Sequence, residues 1–244
     1  MSRKPFFHWV LVFTSGLENR KLIYNLMNAP KIKLNIGCGP NGQLEGFINI
    51  DNSKAVLLAR FPKIKKLLFK LGLISKEKLE HDWTGVRWMD ASRRLPFASE
   101  SVDKIYCSHF LEHIPSDNGK YVLKEFYRVL KKDGIIRLVV PDLLWHAEEY
   151  VRDTMRIQKD FMLPDDRTVH DKFLDTIYGA YLSNKRYGAS HCYMYDLSTL
   201  VSILKKIGFK KIRKCHYQEG EDEELSRYDT RSEDSLHIEI TGKE

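Results

Sequence analysis

The chain has 244 residues, and its composition excludes several classes of protein. Hydrophobic residues make up 43% of it, with 12 Phe, 12 Tyr and 4 Trp, which suffices for a packed interior and excludes an intrinsically disordered chain. The formal net charge is +7, yet residues 54–78 alone carry eight Lys or Arg and one acid, a surplus equal to that of the whole chain. Because the basicity is confined to one segment, it does not indicate general affinity for nucleic acid, and no nucleic-acid partner is expected.

The cysteines and the N-terminal segment indicate a cytoplasmic location. The four cysteines lie far apart and form neither a CxxC pair nor a disulfide-rich pattern: Cys38, Cys107, Cys192 and Cys215. This spacing favours a reducing compartment. The apolar run at residues 6–13 is too short to cross a bilayer and lacks a small-residue cleavage site, so we expect residues 1–30 to dock through apolar side chains. No internal repeat or low-complexity linker is visible, and one domain over residues 1–244 is expected.

A glycine-rich turn follows the first predicted strand, residues 31–36. Residues 37–42 fit the pattern G-x-G-x-x-G, which either ends a strand for steric reasons or lets the backbone approach a nucleotide. Residues 42–47 are too few for a crossover helix, so that connection should be a single turn or irregular. The next strand ends at Asp51, whereas a dinucleotide site has its acidic residue about 20 residues after the glycines. A ligand without a pyrophosphate is therefore favoured.

Asp51 is the first candidate binding residue. Its two carboxylate oxygens match the two neighbouring hydroxyls of a ribose. The alternative is a solvated strand end, and the nearby glycine turn favours the ribose interpretation. The sequence thus predicts a nucleoside pocket between the glycine turn and Asp51.

An insertion over residues 54–80 follows, and its centre, residues 61–72, is predicted as a basic amphipathic helix. Pro62 suits its first turn and Gly72 its end, with apolar residues at helical spacing at Ile64, Leu67, Leu68 and Leu71. Two interpretations stay open. The helix is either a surface helix with a solvated basic face, or it contacts an anionic membrane or an anionic, lipid-linked acceptor.

Two more strands are predicted at residues 86–90 and 104–108, ending at Asp90 and Ser108. The segment after the second, HFLEH at residues 109–113, fits the zinc pattern H-x-x-E-H. Pro115 disfavours a helix at Ile114, however, and no third ligand region is evident. We therefore predict no metal, and instead a loop at the carboxyl ends of the strands, where open α/β sheets bind ligands.

The remainder completes an alternation of helices and strands. Asp117 is predicted to cap a helix that ends at residues 131–134, followed by a strand at 135–140 that is apolar apart from Arg137. Residues 143–190 should contain a helix near 144–161 and a tyrosine-rich part that forms either a lid or acceptor wall, or ordinary packing. Asp196 should cap a helix that stops at Gly208. Strands at 209–217 and 236–240 close the chain, the last antiparallel, around an acidic loop that is either solvated or paired with the basic helix.

Five segments, in this order, resemble the class I S-adenosylmethionine-dependent methyltransferases, in particular the small bacterial type associated with sugar and surface-polysaccharide modification. They are LNIGCGPNG, INID, LPFASESVDKIYCSHFLEHI, FYRVLKKDGIIRLVVPD and LSTLVSILKKIGF, and they span residues 31–209. The resemblance implies an α/β Rossmann-like fold, with seven mostly parallel strands, the last antiparallel, and helices on both faces. The resemblance does not cover residues 54–78 and 143–190, and these two regions would then determine the specificity for the acceptor.

The resemblance also implies how S-adenosylmethionine would be held. Its methionine would contact Gly37, Cys38 and Gly39, its ribose Asp51, and its adenine Asp90 and Ala91, with Asn52 also in the site and Ser108 and His109 near the transferred methyl. Asn35 departs from the family, because many members carry an acidic residue there. Recognition of the cofactor's amino group would then be weaker or lie elsewhere.

The expected reaction is methyl transfer to a hydroxyl of a saccharide or related small acceptor, free or lipid-linked. Such an acceptor must lose a proton, and histidine is the natural base near neutral pH. His109 is the first candidate, followed by His113 and His191. Two alternatives stay open: a catalytically inactive partner protein that binds the cofactor, and a zinc hydrolase that uses HFLEH. Peripheral membrane contact through residues 61–72 stays open as the alternative to a solvated surface helix.

Overall fold

The computed structural model describes residues 31–160, 168–178, 190–232 and 234–243. The chain divides into two compact units, Met1–Lys31 and Ile32–Glu244, and the fold below is that of the second unit. The expected docking of residues 1–30 lies outside the described residues. A single domain over the whole chain stays a prediction.

Seven strands form one mixed sheet. They are β1 (Lys33–Ile36), β2 (Ile48–Asp51), β3 (Val86–Trp88), β4 (Val102–Ser108), β5 (Leu130–Pro141), β6 (Phe209–Cys215) and β7 (Ser235–Lys243). The order across the sheet is β3-β2-β1-β4-β5-β7-β6. Strand β7 runs antiparallel to both of its neighbours, and the other four pairings are parallel. The predicted fold class, an α/β seven-stranded and mostly parallel sheet with the last strand antiparallel, is confirmed.

Eight α-helices occur in the described residues. They are α1 (Lys54–Ala59), α2 (Pro62–Lys70), α3 (Lys76–Glu80), α4 (Ser116–Val129), α5 (Leu143–Asp160), α6 (Val169–Ile177), α7 (Leu197–Ile207) and α8 (Glu223–Ser226), with one 3-10 turn at Leu111–His113. The predicted caps of α7 are present: Asp196 accepts from the N–H of Thr199 at 2.7 Å, and Gly208 ends the helix at φ +115°. None of the described helices is long and apolar enough to cross a bilayer.

The boundaries of α4 differ from the prediction at both ends. The residue before the helix is Pro115, so Asp117 lies inside the first turn rather than at the cap. The helix stops at Val129 because Leu130 already pairs with Val102 of β4. A strand therefore begins where continued helix was expected.

The register of the parallel strands determines where a ligand can bind. Ile36 at the end of β1 pairs with Ile50 of β2 on one side and with Cys107 of β4 on the other. The carboxyl ends of these strands therefore meet at one edge, and the segments after them come together there. Residues 42–47 connect β1 to β2 through turns without a helix, as their length predicts.

The main hydrophobic cluster holds these strands in place. Buried side chains of the central strands pack with Val122 and Phe126 of α4 and with Leu200 and Leu204 of α7. The sheet is thus covered by apolar packing, which keeps the strand ends fixed.

All four cysteines are described, and each is a free thiol.

The one charged residue predicted in β5, Arg137, is fully buried and paired. Its Nη2 lies 2.5 Å from Oδ2 of Asp229, and its Nη1 donates to the carbonyl of Glu219 at 2.9 Å. The acidic loop next to it does not face the basic helix. Glu224 pairs with Lys33 and Lys104 at 2.6 and 2.9 Å, so the loop is anchored to the sheet and the suggested pairing with the basic helix is wrong.

Candidate active site

A cavity of about 960 Å³ opens at the carboxyl ends of the parallel strands. Four segments at the strand ends line one side of it: the glycine turn through Gly37 and Gly39, the end of β2 through Asp51, the segment after β3 through Asp90, and the segment after β4 through His109. Ligand cavities in proteins span about 300–1,000 Å³. The predicted candidates therefore share one cavity that is large enough for a nucleoside cofactor and a second small molecule.

The glycine turn has the backbone shape that its sequence requires. Gly37 and Gly39 have φ of +67° and +64°, which side-chain-bearing residues rarely adopt. A Cβ on Gly37 would collide with the ring of Phe110, whereas a Cβ on Gly39 would project into open space. The N–H groups of Gly37 and Cys38 both donate to the carbonyl of Ile50, at 2.8 and 3.2 Å. The turn is thus fixed against β2, with Gly39 offering bare backbone to a ligand.

Asn35, which lies in β1 just before the glycine turn, has a structural role. Its side chain is almost fully buried, and its Nδ2 donates to the carbonyl of Gly42 and to Oδ1 of Asn49, each at 2.8 Å. These bonds tie both ends of the glycine turn to β2. The amide therefore holds the turn, and it is not among the residues that line the cavity.

The carboxylate of Asp51 is oriented by two backbone donors. Oδ2 accepts from the N–H of Gly39 at 2.9 Å, and Oδ1 accepts from the N–H of Ser53 at 2.7 Å. Each oxygen retains a further lone pair. The carboxylate can accordingly accept one hydroxyl on each oxygen, which matches the vicinal diol of a ribose. Asn52 lines the cavity beside it.

Asp90 lies at the second predicted acidic position. Ser92 donates to its Oδ1 from both N–H and hydroxyl, at 3.0 and 2.6 Å, and these bonds lower the pKa of Asp90. The residue is therefore ionised at neutral pH. Ala91 does not line the cavity, because its side chain is buried in the main hydrophobic cluster; Ser92 lines the cavity instead. Sequence reasoning missed Ser92 because a turn that follows an acid carries no distinct pattern.

Two other candidates are not among the residues that line the cavity. Cys38 packs beside the cluster of Val56, Trp83 and Val86, and burial, with the negative charge of Asp51, raises the pKa of its thiol to about 12. Its backbone, rather than its sulfur, is the part that a cofactor could contact. Ser108 is the last residue of β4 and is half-buried.

His109 is held by a carboxylate that the sequence analysis did not select. Its Nδ1 lies 3.1 Å from Oε1 of Glu112, whose side chain is 0% exposed. Its Nε2 lies 3.4 Å from the hydroxyl of Ser235, and its φ of +49° turns the chain sharply after β4. A histidine oriented by a buried carboxylate is the arrangement that supports general-base chemistry. The spacing of three residues between His109 and Glu112 was the available signal.

The other two candidate histidines lie next to each other, with ring centres 5.0 Å apart. His113 lines the cavity, whereas His191 does not. Burial lowers the pKa of His191, which favours its neutral form. The structure thus brings His109 and His113 to the cavity wall and keeps His191 behind them.

The HFLEH segment does not form the helix that the zinc-hydrolase alternative requires. Only Leu111–His113 is regular, as one 3-10 turn, so His109 and His113 cannot lie one turn apart on an α-helix. Glu112, His113 and His191 nevertheless approach one another, each with a possible ligand atom within 4.8 Å of the others. This grouping is different from the H-x-x-E-H set.

The basic insertion forms the opposite wall of the cavity. The residues that line the cavity on this side are Leu58 of α1, Lys65 of α2, Lys78 of α3, and Ile74 and His81 on either side of α3. The sequence predicts that this insertion determines acceptor choice, but its pattern does not show which of its side chains face the cavity. In the other uncovered region, α5 and α6 border a separate cavity of about 240 Å³ beside Tyr150 and Phe173. Tyr181 and Tyr187, part of the suggested tyrosine-rich wall, lie outside the described residues.

Comparison with known proteins finds a match to a methyltransferase domain over part of the chain. Residues 34–138 match the family model described as "Methyltransferase domain", and no curated protein matches the chain. Among solved structures, the chain is similar to a SAM-dependent methyltransferase from Archaeoglobus fulgidus, with 16% identity over 92% of each chain and a TM-score of 0.47. It is also similar to one from Methanosarcina mazei, with 18% identity over 91% of this chain and 98% of that one and a TM-score of 0.47. The assignment rests on the family match.

Proposed function

We propose that this chain, which carries a class I S-adenosylmethionine-dependent methyltransferase domain, transfers the methyl group to a hydroxyl of a saccharide or related small acceptor, presented free or on a lipid. The observation that carries the hydroxyl assignment is His109 in the wall of the cavity, hydrogen-bonded to the buried Glu112. A hydroxyl must lose a proton during transfer, so it needs a positioned base.

The geometry of the strand ends supports our cofactor assignments. The sulfonium is already an activated donor, so the protein's task is to align the methyl carbon with the acceptor. We assign the ribose hydroxyls to Asp51, the methionine part to the backbone at Gly37 and Gly39, and the adenine edge to Asp90 and Ser92. The open space over Gly39 supports close approach of the cofactor there.

We assign the base to His109. If Nδ1–H donates to Glu112, Nε2 keeps a lone pair that can take the acceptor's proton. The buried carboxylate fixes the orientation of the ring and stabilises the imidazolium that forms. His113 is the second candidate because it also lines the cavity, but its Nε2 lies 3.9 Å from Oε1 of Glu112 and is less well oriented.

The basic helix supports an acceptor held at an anionic lipid surface. No residue of α2 is buried, and the apolar side chains on and beside it are open to solvent: Phe61 is 57% exposed, Leu67 54% and Leu71 61%. A surface helix normally packs such a stripe on the core. Contiguous exposed apolar side chains beside lysines favour burial at the boundary of an anionic bilayer. Lys65 of the same helix lines the cavity, so an acceptor at that surface would lie near the cofactor.

Turnover is tested with isotopically labelled S-adenosylmethionine and a panel of free and lipid-linked saccharides, analysed by product mass spectrometry. We expect an O-methylated product, and His109→Gln should lower the rate at least about 100-fold, in the range of a lost general base, with cofactor binding retained. His216→Ala, an exposed histidine, is the control. Methylation of nitrogen or carbon instead would overturn the hydroxyl assignment. Binding of the cofactor without turnover of any acceptor would favour an inactive partner protein.

Membrane contact is tested by co-sedimentation with anionic phosphatidylglycerol vesicles and with neutral phosphatidylcholine vesicles. We expect binding to the anionic vesicles only, lost in the triple variant Lys63→Glu, Lys66→Glu and Lys70→Glu. The control reverses three exposed lysines elsewhere, two in α7 and one just after it: Lys205→Glu, Lys206→Glu and Lys210→Glu. Its change in net charge is the same. Absence of wild-type binding, or equal loss in both triple variants, would overturn contact through α2.

A further inference from the structure

Three side chains beside the cofactor cavity have the composition of a metal site. Glu112 and His113 belong to the 3-10 turn after β4, and His191 comes from the segment before α7. Each offers one ligand atom, and these atoms lie within 4.8 Å of one another. Two imidazoles and one carboxylate form a donor set that zinc and other divalent transition metals use in proteins.

Both histidines are held in the tautomer that metal binding requires. Nδ1 of His113 lies 3.3 Å from the carbonyl of Ser190, and Nδ1 of His191 lies 2.6 Å from the carbonyl of Thr176. A carbonyl can only accept a hydrogen bond, so each Nδ1 carries the proton and each Nε2 keeps its lone pair. Metal-bound histidines are usually oriented in this way, by a carbonyl or carboxylate on the other ring nitrogen.

Glu112 supplies an independent reason for a cation. Its side chain is fully buried, and its Oε2 has no hydrogen-bond partner in the described part of the chain. Within the described residues, Oε1 lies near histidine nitrogens only, of His109 at 3.1 Å and of His113 at 3.9 Å. A buried carboxylate with an unsatisfied oxygen is unfavourable unless a cation compensates it. The carboxylate thus has an unmet need for a positive partner, which favours a cation beside it.

We propose that Glu112, His113 and His191 bind one divalent transition-metal ion, with zinc as the best match to this donor set. Because zinc bonds are about 2.0–2.2 Å long, Oε1 of Glu112 and Nε2 of His113, now 3.9 Å apart, would move slightly closer together on binding. His109 is not one of the ligands; it hydrogen-bonds to Glu112 and would orient that carboxylate. Because His113 also lines the cofactor cavity, the remaining coordination positions would be accessible from the cavity, to water or to an acceptor hydroxyl.

This site is not the one that the sequence pattern suggested. The pattern H-x-x-E-H requires two histidines on one helix, and the expectation of no metal rested on the missing helix and the missing third ligand. The third ligand is His191, which comes from the other side of the sheet edge. The N–H groups of Cys192 and Tyr193 donate to the carbonyl of Glu112, at 2.6 and 3.1 Å, and hold His191 beside it. The proposal does not depend on which acceptor is methylated, since metal binding needs no turnover.

The test is zinc binding to the full chain, purified without a histidine tag and stripped with a chelator. Titration with ZnCl₂ against a colorimetric competitor should give one equivalent per chain, and Co²⁺ should give a visible absorption band from nitrogen and oxygen ligands. Glu112→Gln and His191→Ala should each weaken zinc binding at least 100-fold, whereas His216→Ala should leave it unchanged. Calorimetry with S-adenosylmethionine on the same variants reports whether they remain folded.

The results distinguish failure of the metal site from failure of the proposed function. A wild-type chain that takes up no zinc, or variants that still bind cofactor and also bind zinc with unchanged affinity, would overturn the site. If Glu112→Gln fails to fold, His191→Ala decides alone, because its side chain is only partly buried. Zinc binding with no methyl transfer would support the metal site while contradicting the proposed function, so the two failures can be distinguished.

Discussion

The backbone N–H of Gly39 donates a hydrogen bond of 2.9 Å to Oδ2 of Asp51. The bond joins the glycine turn after β1 to the end of β2, which are adjacent only because the two strands are parallel neighbours. With Ser53 holding the other oxygen, the carboxylate is oriented before any ligand arrives. Binding then requires little additional ordering of this side chain, which favours affinity.

Replacement of Gly37 by alanine should be more damaging than an equivalent change elsewhere. A positive φ costs an L-residue about 1–2 kcal/mol, and at Gly37 the new Cβ would also collide with Phe110. Gly85 has φ +74° with nothing within 4 Å of an added Cβ, so Gly85→Ala isolates the backbone cost. Urea unfolding should give a larger loss of stability for Gly37→Ala, together with weaker cofactor binding. Equal losses in the two variants would show that the contact with Phe110 does not constrain the turn.

Cys38 should be an unreactive thiol despite its place in the glycine turn. Burial and the charge of Asp51 raise its pKa to about 12, so near pH 8 almost none of it is the nucleophilic thiolate. Iodoacetamide should therefore alkylate the exposed Cys192 first, as mapped by peptide mass spectrometry. The rate at Cys38 should increase as the pH approaches 12 and should rise in Asp51→Asn, which removes the nearby charge. Faster alkylation of Cys38 than of Cys192 at pH 8 would contradict this assignment.

The buried pair of Arg137 and Asp229 should dominate the stability of the β5 and β7 side of the sheet. Asp229→Ala removes the nearer carboxylate from a buried guanidinium, which typically costs about 3–5 kcal/mol; Glu239 remains 3.6 Å from Nη1. The exposed pair of Lys76 and Glu80, 3.7 Å apart, provides the control: Glu80→Ala should change stability by about 0–1 kcal/mol. Equilibrium denaturation measures both. A loss below about 1 kcal/mol for Asp229→Ala would mean that Arg137 finds other partners.

The strands around the cofactor cavity could be predicted because their signals are local. The glycines, the short connection and the acid at the end of β2 all lie within residues 37–51, and the structure keeps them together. The structural role of Asn35 was harder to predict, since the hydrogen bonds from its amide to Gly42 and Asn49 depend on the exact path of the turn. The start of β5 at Leu130 could not be predicted from local sequence either. It depends on pairing with Val102 rather than on helix-breaking residues.

Other features depend on tertiary contacts that no local pattern contains. The helical spacing in residues 61–72 correctly indicated an amphipathic helix, but spacing alone cannot tell whether the apolar side is covered. The partner of Arg137 is 92 positions away. The approach of His191 to Glu112 likewise requires the segment before α7 to cross the strand ends, so it became visible only in three dimensions.

The most direct test of the central claim is isothermal titration calorimetry with S-adenosylmethionine and S-adenosylhomocysteine, on the wild-type chain, Asp51→Ala and the exposed control Asp133→Ala. Two hydrogen bonds to a charged carboxylate contribute about 1.5–3 kcal/mol each, so Asp51→Ala should weaken binding by at least about 100-fold, at about 1.4 kcal/mol per tenfold. We predict one site per chain in the wild type and in Asp133→Ala. Failure of the wild-type chain to bind either compound, or unchanged affinity in Asp51→Ala, would contradict the account.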